Sequence, residues 1–520
     1  MALYDVLSAS LADPLHLTLG ILSISLPLLW YLRRGKQTQE QAQSNAPHSW
    51  PFNPASLDRK ESESPILTFG NSMILPNRYA HEIRNNDLLS FRDGLEKDFL
   101  TTVPGLEAMF TGTFHNHIVW DTASAFSRKL GALIEPLSTE TGIFLRDNWS
   151  HDTGASLTPL TPTSFSNPKS RINCGLEWHA IPLNETMNLL IAQLTARIFI
   201  GEELCRNGDW IQNAISYTAH RTAAMKELYG YGRLIPVVHW FLPSCRALRG
   251  CVRAGRPFVE HALEARRTAK GKGEDKSVDA LSWIDGVAGE NGTKYDATLT
   301  QLRLAYAAVH TTSDLMTKVV AALCEHQELL QPLREEIVAV VKEHGWSEAA
   351  LAKMVLLDSV LKETQRLEPL ASFTLSRIAR EPVVLNDGTR IPKGAQVRLT
   401  TDNMWNSAVY PDAAKFDGYR FLKLREQEKA TITGTVGGGG GLSFVSVSAN
   451  HMGFGYGKHA CPGRFFAGAE TKVALCHILL KYDFDLVDKA LAGAQTDGMM
   501  IWRDKRAMLR VRRREAEIDI

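Results

Sequence analysis

The chain has little of what usually points to a partner. Its 520 residues hold 58 Lys and Arg against 57 Asp and Glu, a formal net charge of +1. No charge excess therefore suggests nucleic acid or another polyanion. The seven cysteines (Cys174, Cys205, Cys245, Cys251, Cys324, Cys461, Cys476) are odd in number and form no CxxC pair. That excludes a zinc knuckle and gives no disulfide framework, the usage of a reduced, cytosol-facing protein. There is no internal repeat. Gly453 through Lys458 only imitates a phosphate loop, because three residues instead of four separate its glycines and His459 replaces the required Ser or Thr.

One hydrophobic run is present. Leu15 to Leu32 is eighteen residues without a formal charge, near the ~20 that cross a bilayer as a helix. Asp5 and Asp13 precede it, and Arg33, Arg34 and Lys36 follow. The positive-inside rule then places the N-terminus in the lumen and the rest in the cytoplasm. Residues 1–36 read as lumenal N-terminus and membrane anchor, 37–54 as a polar linker and 55–520 as the globular part. On that topology the sequons at Asn148, Asn184 and Asn291 stay unmodified.

The middle of the chain reads as helical, with helices over Leu183 to Ile200 and Leu302 to Leu323 and an amphipathic one over Gln327 to Lys342. Arg266 to Lys276 is basic and apolar-poor and reads as a solvated loop. After about residue 370 the pattern shifts to strands around Asp387-Gly388, a hairpin turn signal. Gly437 to Gly441 reads as a loop tip, and Arg510 to Arg514 as a solvated end. The expected fold class is mainly α with a smaller β region: a single large domain plus an N-terminal membrane helix.

Phe454-Gly-Tyr-Gly-Lys-His-Ala-Cys461-Pro-Gly463 is the stretch the rest is organised around. Apolar positions at helical spacing follow it, and Pro462 suits the approach to a helix. Cys461 is thus expected near a helix N-terminus, where N–H groups and the dipole favour a thiolate. Such a thiolate is either a nucleophile or a metal ligand. Three other stretches bear on the choice. Ala307-Ala-Val-His310-Thr311-Thr312 puts hydroxyls inside an apolar helix, where they loosen the backbone ladder. Glu363 and Arg366 share a helix face. Arg420 stands between aromatics after Pro411.

Jointly these stretches resemble the cytochrome P-450 family of haem-thiolate monooxygenases. Phe454, Gly457, Cys461 and Gly463 match its Phe-x-x-Gly-x-x-x-Cys-x-Gly loop, Glu363 and Arg366 its Glu-x-x-Arg, and Arg420 the third member of its buried ion network. Ala307 through Thr312 is similar to its long-helix motif, with His310 in place of the usual acid and Ala308 in place of the usual glycine. The resemblance implies the P-450 fold, heme b and Cys461 as the axial iron ligand. It implies Phe454 packing near the ring, Gly457 and Gly463 passing close to the porphyrin, and His459 and Arg377 at the haem propionates. Thr311, His310 and Thr312 fall at the catalytic positions, where Thr311 would position dioxygen and water and His310 could relay protons. Glu363, Arg366 and Arg420 would be structural. Pocket-lining positions by analogy are Gly112 to Ile118, Ala371 to Thr374 and Met499 to Ile501.

The implied partners are an NADPH-cytochrome P-450 reductase, since the chain shows no flavin or nucleotide motif, with cytochrome b5 as an optional second. A lipophilic small molecule, the bilayer and no nucleic acid complete the set. The implied location is the endoplasmic reticulum membrane, single-pass, with a cytoplasmic catalytic domain. The Ala-Ala-x-His-Thr-Thr run, and Leu204-Cys205-Arg206-Asn207 with Trp210, also resemble filamentous-fungal members that make terpenoid and indole-diterpenoid products. Two alternatives keep the haem: an isomerase or dehydratase needing no external electrons, and a non-enzymatic membrane haem- or sterol-binding protein.

Overall fold

The structure, a computed structural model, describes residues 67–69, 72–107, 126, 129–149, 177–272, 278–290, 292, 294–431, 441–489, 493–497 and 499–518. The anchor at Leu15 to Leu32, the linker, residues 112–118, Asn291 and most of the glycine run lie outside these residues. Among the described residues no helix is long and apolar enough to cross a membrane.

The main helices are α1 (Phe91–Phe99), α2 (Leu130–Trp149), α3 (Leu183–Phe199), α4 (Gly208–Tyr229), α5 (Pro243–Gly271), α6 (Ala297–Glu325), α7 (Leu330–His344), α8 (Val355–Leu367), α9 (Arg420–Thr431) and α10 (Arg464–Lys481). Their boundaries follow local chemistry. Asp296 caps α6 by accepting the Leu299 N–H at 2.9 Å, and Ser90 caps α1 by accepting that of Asp93 at 3.1 Å. Gly345, at φ +61°, ends α7. The apolar faces of α2, α3, α6, α7, α8 and α10 meet in one core that includes Leu133, Leu190, Met316, Val320, Leu361 and Val473, all fully buried.

The strands are β1 (Leu67–Phe69), β2 (Ser72–Leu75), β3 (Leu89–Ser90), β4 (His179–Pro182), β5 (Phe373–Ala379), β6 (Val383–Val384), β7 (Arg390–Ile391), β8 (Gln396–Thr400), β9 (Tyr482–Leu486), β10 (Ala494–Asp497), β11 (Met500–Arg503) and β12 (Met508–Arg513). They form sheets ordered β1-β2-β8-β5-β3, β4-β12-β9, β10-β11 and β6-β7. The β6–β7 hairpin turns through Asp387-Gly388 as expected, with Val383 opposite Ile391. The β region is not confined to the late chain, however. Residues 67–90 supply three strands of the largest sheet, and a second core of Leu75, Ile83, Val397, Leu399 and Met452 packs about it.

Two expectations are corrected. Arg266 through Gly271 is the end of helix α5 rather than a loop, because Arg266 pairs with buried Asp279 at 2.9 Å and donates to the Ile200 carbonyl. Arg510 through Arg513 is not a solvated end but part of β12, the middle strand of its sheet, where Asp485 and Asp483 on β9 pair with Arg510 and Arg512. Residues 220–248 belong to a second compact unit, apart from the one that holds the rest of the described residues. In it Ser244 donates to Glu227 at 2.5 Å, and Tyr229, Val237, Trp240 and Phe241 are exposed.

Candidate active site

Main-chain hydrogen bonds shape the Cys461 loop. Gly455 donates to the Met452 carbonyl at 2.8 Å, Ala460 to that of Gly457 at 3.0 Å, and Cys461 itself to that of Phe454 at 2.8 Å. Gly455 and Gly457 take φ of +75° and +81°, which side chains resist. A β-carbon on Gly457 would come within 2.6 Å of Asn85 and 2.8 Å of Arg84. The protein's own packing and backbone thus already require glycine there. Beside Gly463 only the Cys461 sulfur comes near, at 4.0 Å.

Helix α10 begins at Arg464 with Gly463 as its cap. Burial pushes the Cys461 thiol above its ordinary pKa, although the Gly463 N–H, the Arg464 charge and the Arg464 N–H pull it back. Cys461 is exposed, so its side chain is open to a ligand.

Helix α8 backs the segment 443–453 that leads into this loop. Asp358 accepts the Phe444 N–H at 2.8 Å, Lys362 donates to the carbonyls of Ser443 and Ser446 at 2.9 Å each, and the His451 ring meets the Lys362 carbonyl at 3.2 Å. A β-carbon on Gly453 would strike Gln365 at 2.2 Å. Phe444 and Phe454 pack edge to face with ring centres 5.2 Å apart.

The same helix carries Glu363, which is fully buried and accepts from both predicted arginines. Arg366 reaches it at 2.8 and 2.9 Å, and Arg420 at 3.0 and 3.1 Å. Spare donors are used on main chain: Arg366 on Met404 and Ala413, Arg420 on Pro411 and Lys415. Buried charges are tolerated when their donors are satisfied this fully. The cluster ties α8 to the segment 404–420 and to the start of α9.

Arg377 and His459 meet on Phe91. The Arg377 guanidinium lies 5.0 Å from the ring centre and the His459 ring stacks on it at 4.5 Å. A bulge between Thr374 and Arg377, with Leu375 at φ +52°, sets the course of β5 here. Arg377 is 2 % exposed, and its hydrogen bond is to the neighbouring Ser376 carbonyl. Burial lowers its pKa to about 10, and burial followed by the Arg377 and Lys458 charges lowers that of His459 to about 4. Among the described residues no carboxylate pairs with Arg377. An anionic group would fit beside it.

On α6, every residue between Thr300 and Cys324 is buried except Tyr306, Ala307, Ala308, His310, Thr311 and Asp314. Thr311 donates its hydroxyl to the Ala307 carbonyl at 2.9 Å, and the helix continues through this point without interruption. Thr312 is buried, off this open stretch, which separates it from the other two predicted catalytic positions. The His310 ring lies 4.9 Å from that of Tyr306. Ala371 to Thr374 and Met499 to Ile501 do come together: Ser372 donates to Met499 at 2.8 Å and Ile501 to Leu370 at 3.1 Å. Sequence reasoning missed Asp314, Phe91 and Lys362. Only Asp314 had a legible signal, its place three residues after Thr311.

One recessed sulfur at the approach to a helix and one buried guanidinium lacking a carboxylate fit a flat, dianionic iron macrocycle, as in a haem-thiolate enzyme. The comparisons agree. The sequence profile "Cytochrome P-450" matches residues 179–510. The chain is 72% identical over 524 residues to cytochrome P-450 monooxygenase cle4 of Aspergillus versicolor, covering 100% of both chains. It is 53% identical over 527 residues to cytochrome P-450 monooxygenase esdpG of Penicillium shearii, again covering 100% of both. It is 38% identical over 445 residues to a fumitremorgin C monooxygenase of Aspergillus fumigatus, covering 85% of this chain and 82% of that one. The chain belongs to the cytochrome P-450 family and is a monooxygenase. That family works with a cysteine-ligated haem and, in its general arrangement, with NADPH electrons delivered by a reductase.

Proposed function

We propose that this monooxygenase hydroxylates or further oxidises a lipophilic natural product of terpenoid or indole-diterpenoid type, with Cys461 as the haem's axial ligand. The observation that carries the reading is the Cys461 loop, held by its own main chain, with α8 fixing the segment 443–453 that leads into it. When bound, the haem supplies dioxygen activation, which electron release from the thiolate promotes. Gly463 and Arg464 N–H groups tune the sulfur. Arg377 and His459 would hold the propionates and Phe454 would flank the ring, while Glu363, Arg366 and Arg420 fix the scaffold. The Thr311 donor is committed to Ala307, so its oxygen accepts from a bound water and orients it.

Ala307, Ala308, Phe373, Met499 and Met500 are apolar and incompletely buried, which supports contact with a lipophilic substrate. The Ala307–Thr312 run supports the terpenoid and indole-diterpenoid class, and a fungal relative named a fumitremorgin C monooxygenase supports natural-product oxidation. Electrons come from NADPH through a separate reductase, with cytochrome b5 as an optional donor. The apolar run Leu15 to Leu32 and the exposed Val237, Trp240 and Phe241 support attachment to the endoplasmic reticulum membrane, with the catalytic part in the cytoplasm.

The test is expression in microsomes with a reductase and incubation over a terpenoid and indole-diterpenoid panel under isotope-labelled dioxygen. The expected result is an NADPH-dependent product carrying one labelled oxygen per oxidation step. Turnover without an electron donor contradicts the reading and leaves an isomerase or dehydratase.

A further inference from the structure

Helix α6 has no acid before Thr311, but it carries one a turn later. Positions 307, 311 and 314 are spaced four and three residues apart, so they share one stripe of the helix. Thr311 and Asp314 therefore have Cβ atoms about 5–6 Å apart, a span one water can bridge. Asp314 is the one carboxylate among the incompletely buried positions between Thr300 and Cys324, with 18 % of its side chain exposed; the other acid of α6, Glu325 at its last position, pairs with Arg503. His310 is turned roughly 100° from Thr311 and lies against Tyr306.

A buried lysine holds Asp314 in place. Lys318, 1 % exposed, approaches the Asp314 carboxylate oxygen Oδ2 at 2.5 Å and also donates to the Ile501 carbonyl at 2.7 Å and to that of Pro369 at 3.4 Å. Those carbonyls flank the junction where Ala371 to Thr374 meets Met499 to Ile501. Lys318 is thus fixed by main chain on both sides. The described residues engage only Oδ2 of Asp314, which leaves Oδ1 for the open face.

We propose that Asp314 is the proton-holding residue of this site and acts through the water at Thr311. The inference rests on the monooxygenase reading above. The Asp314 O–H bond would break as its proton passes to that water, whose own proton would go to the dioxygen being reduced with the reductase's electrons. The carboxylate left behind pairs with the Lys318 ammonium and regains a proton from solvent. Burial pushes the Asp314 carboxyl pKa up, the Lys318 charge pulls it down, Glu368 at the end of α8 pushes it up and Arg503 on β11 pulls it down. Arg503 is itself held by Glu325 at 2.7 Å and Glu368 at 2.5 Å, so its charge is largely spent. The net direction is upward, with burial the largest cause.

The test uses the haem-loaded full chain as its ferrous carbon monoxide complex and reads the C–O stretch as pH is varied. The unaltered protein, Asp314→Asn, Asp314→Glu and His310→Gln are compared. The expected stretch shifts with one proton in the unaltered protein, stays fixed in D314N, titrates again in D314E and still titrates in H310Q. Product per NADPH in D314N falls roughly tenfold or more. A titration that persists in D314N, or is lost in H310Q, overturns the proposal. Should D314N fail to take up haem, isotope-labelled aspartate in the unaltered protein reads the same carboxyl directly, and no aspartate band moving with the C–O stretch overturns it. Loss of the red-shifted thiolate band in the unaltered protein would instead overturn the monooxygenase reading.

Discussion

Arg420 donates its Nε to both carboxylate oxygens of Glu363, at 3.0 and 3.1 Å, across 57 positions of sequence. Arg366 grips the same carboxylate from one turn along α8. Replacing Glu363 by Ala would leave two buried guanidinium groups facing each other, a loss of about 3–5 kcal/mol. The expected outcome for E363A is a sharp fall in thermal midpoint and in haem-loaded yield. Arg420→Lys keeps the charge but not the fork that reaches Pro411 and Lys415, and falls between. A midpoint unchanged in E363A would contradict a structural role for the cluster.

Arg377 offers a different readout. Its guanidinium is buried against Phe91 without a carboxylate partner, so removing the charge relieves a desolvation cost in the empty protein while weakening its hold on an anion. R377A is expected to raise or preserve the thermal midpoint of haem-free protein and to lower the haem-to-protein ratio after purification. A ratio equal to that of the unaltered protein would separate Arg377 from propionate binding.

Glu470 on α10 sets a pH dependence of stability. It is fully buried and accepts from Thr195 at 2.9 Å, while its second oxygen has no partner among the described residues. Burial raises its pKa from 4.5 to about 8. The folded state therefore binds the extra proton between those values. That contribution is fully present below about pH 4.5 and is lost as pH rises through about 8. Glu470→Gln keeps the bond from Thr195 and removes the titration. The variant is expected to be the more stable above about pH 8 by a few kcal/mol, read as thermal midpoint against pH. Parallel curves for the two proteins would contradict this.

Much of the site was legible because its motifs are local. The glycines and cysteine of the 454–463 loop act through turns and a helix start, and Glu363 and Arg366 through a single helical turn. Arg420 needed the family resemblance, since nothing in its own loop shows that it folds back onto α8. The long α6 was legible from its apolar period, and the Asp387-Gly388 hairpin from its turn residues. Strands β1 to β4 were not, because short segments gain their identity from distant partners: β2 pairs with β8 across more than three hundred residues. The Arg-rich β12 looked solvated because its neutralising acids lie on β9. Which α6 residues are buried depends on packing, so the sequence could not show that Thr312 is buried while Asp314 is not.

The central claim is that Cys461 ligates a haem iron, and the carbon monoxide difference spectrum of the reduced protein tests it most directly. The account predicts the red-shifted thiolate band in the unaltered chain and its absence in Cys461→Ala, whether or not haem remains bound. A red-shifted band of normal intensity in C461A would contradict it.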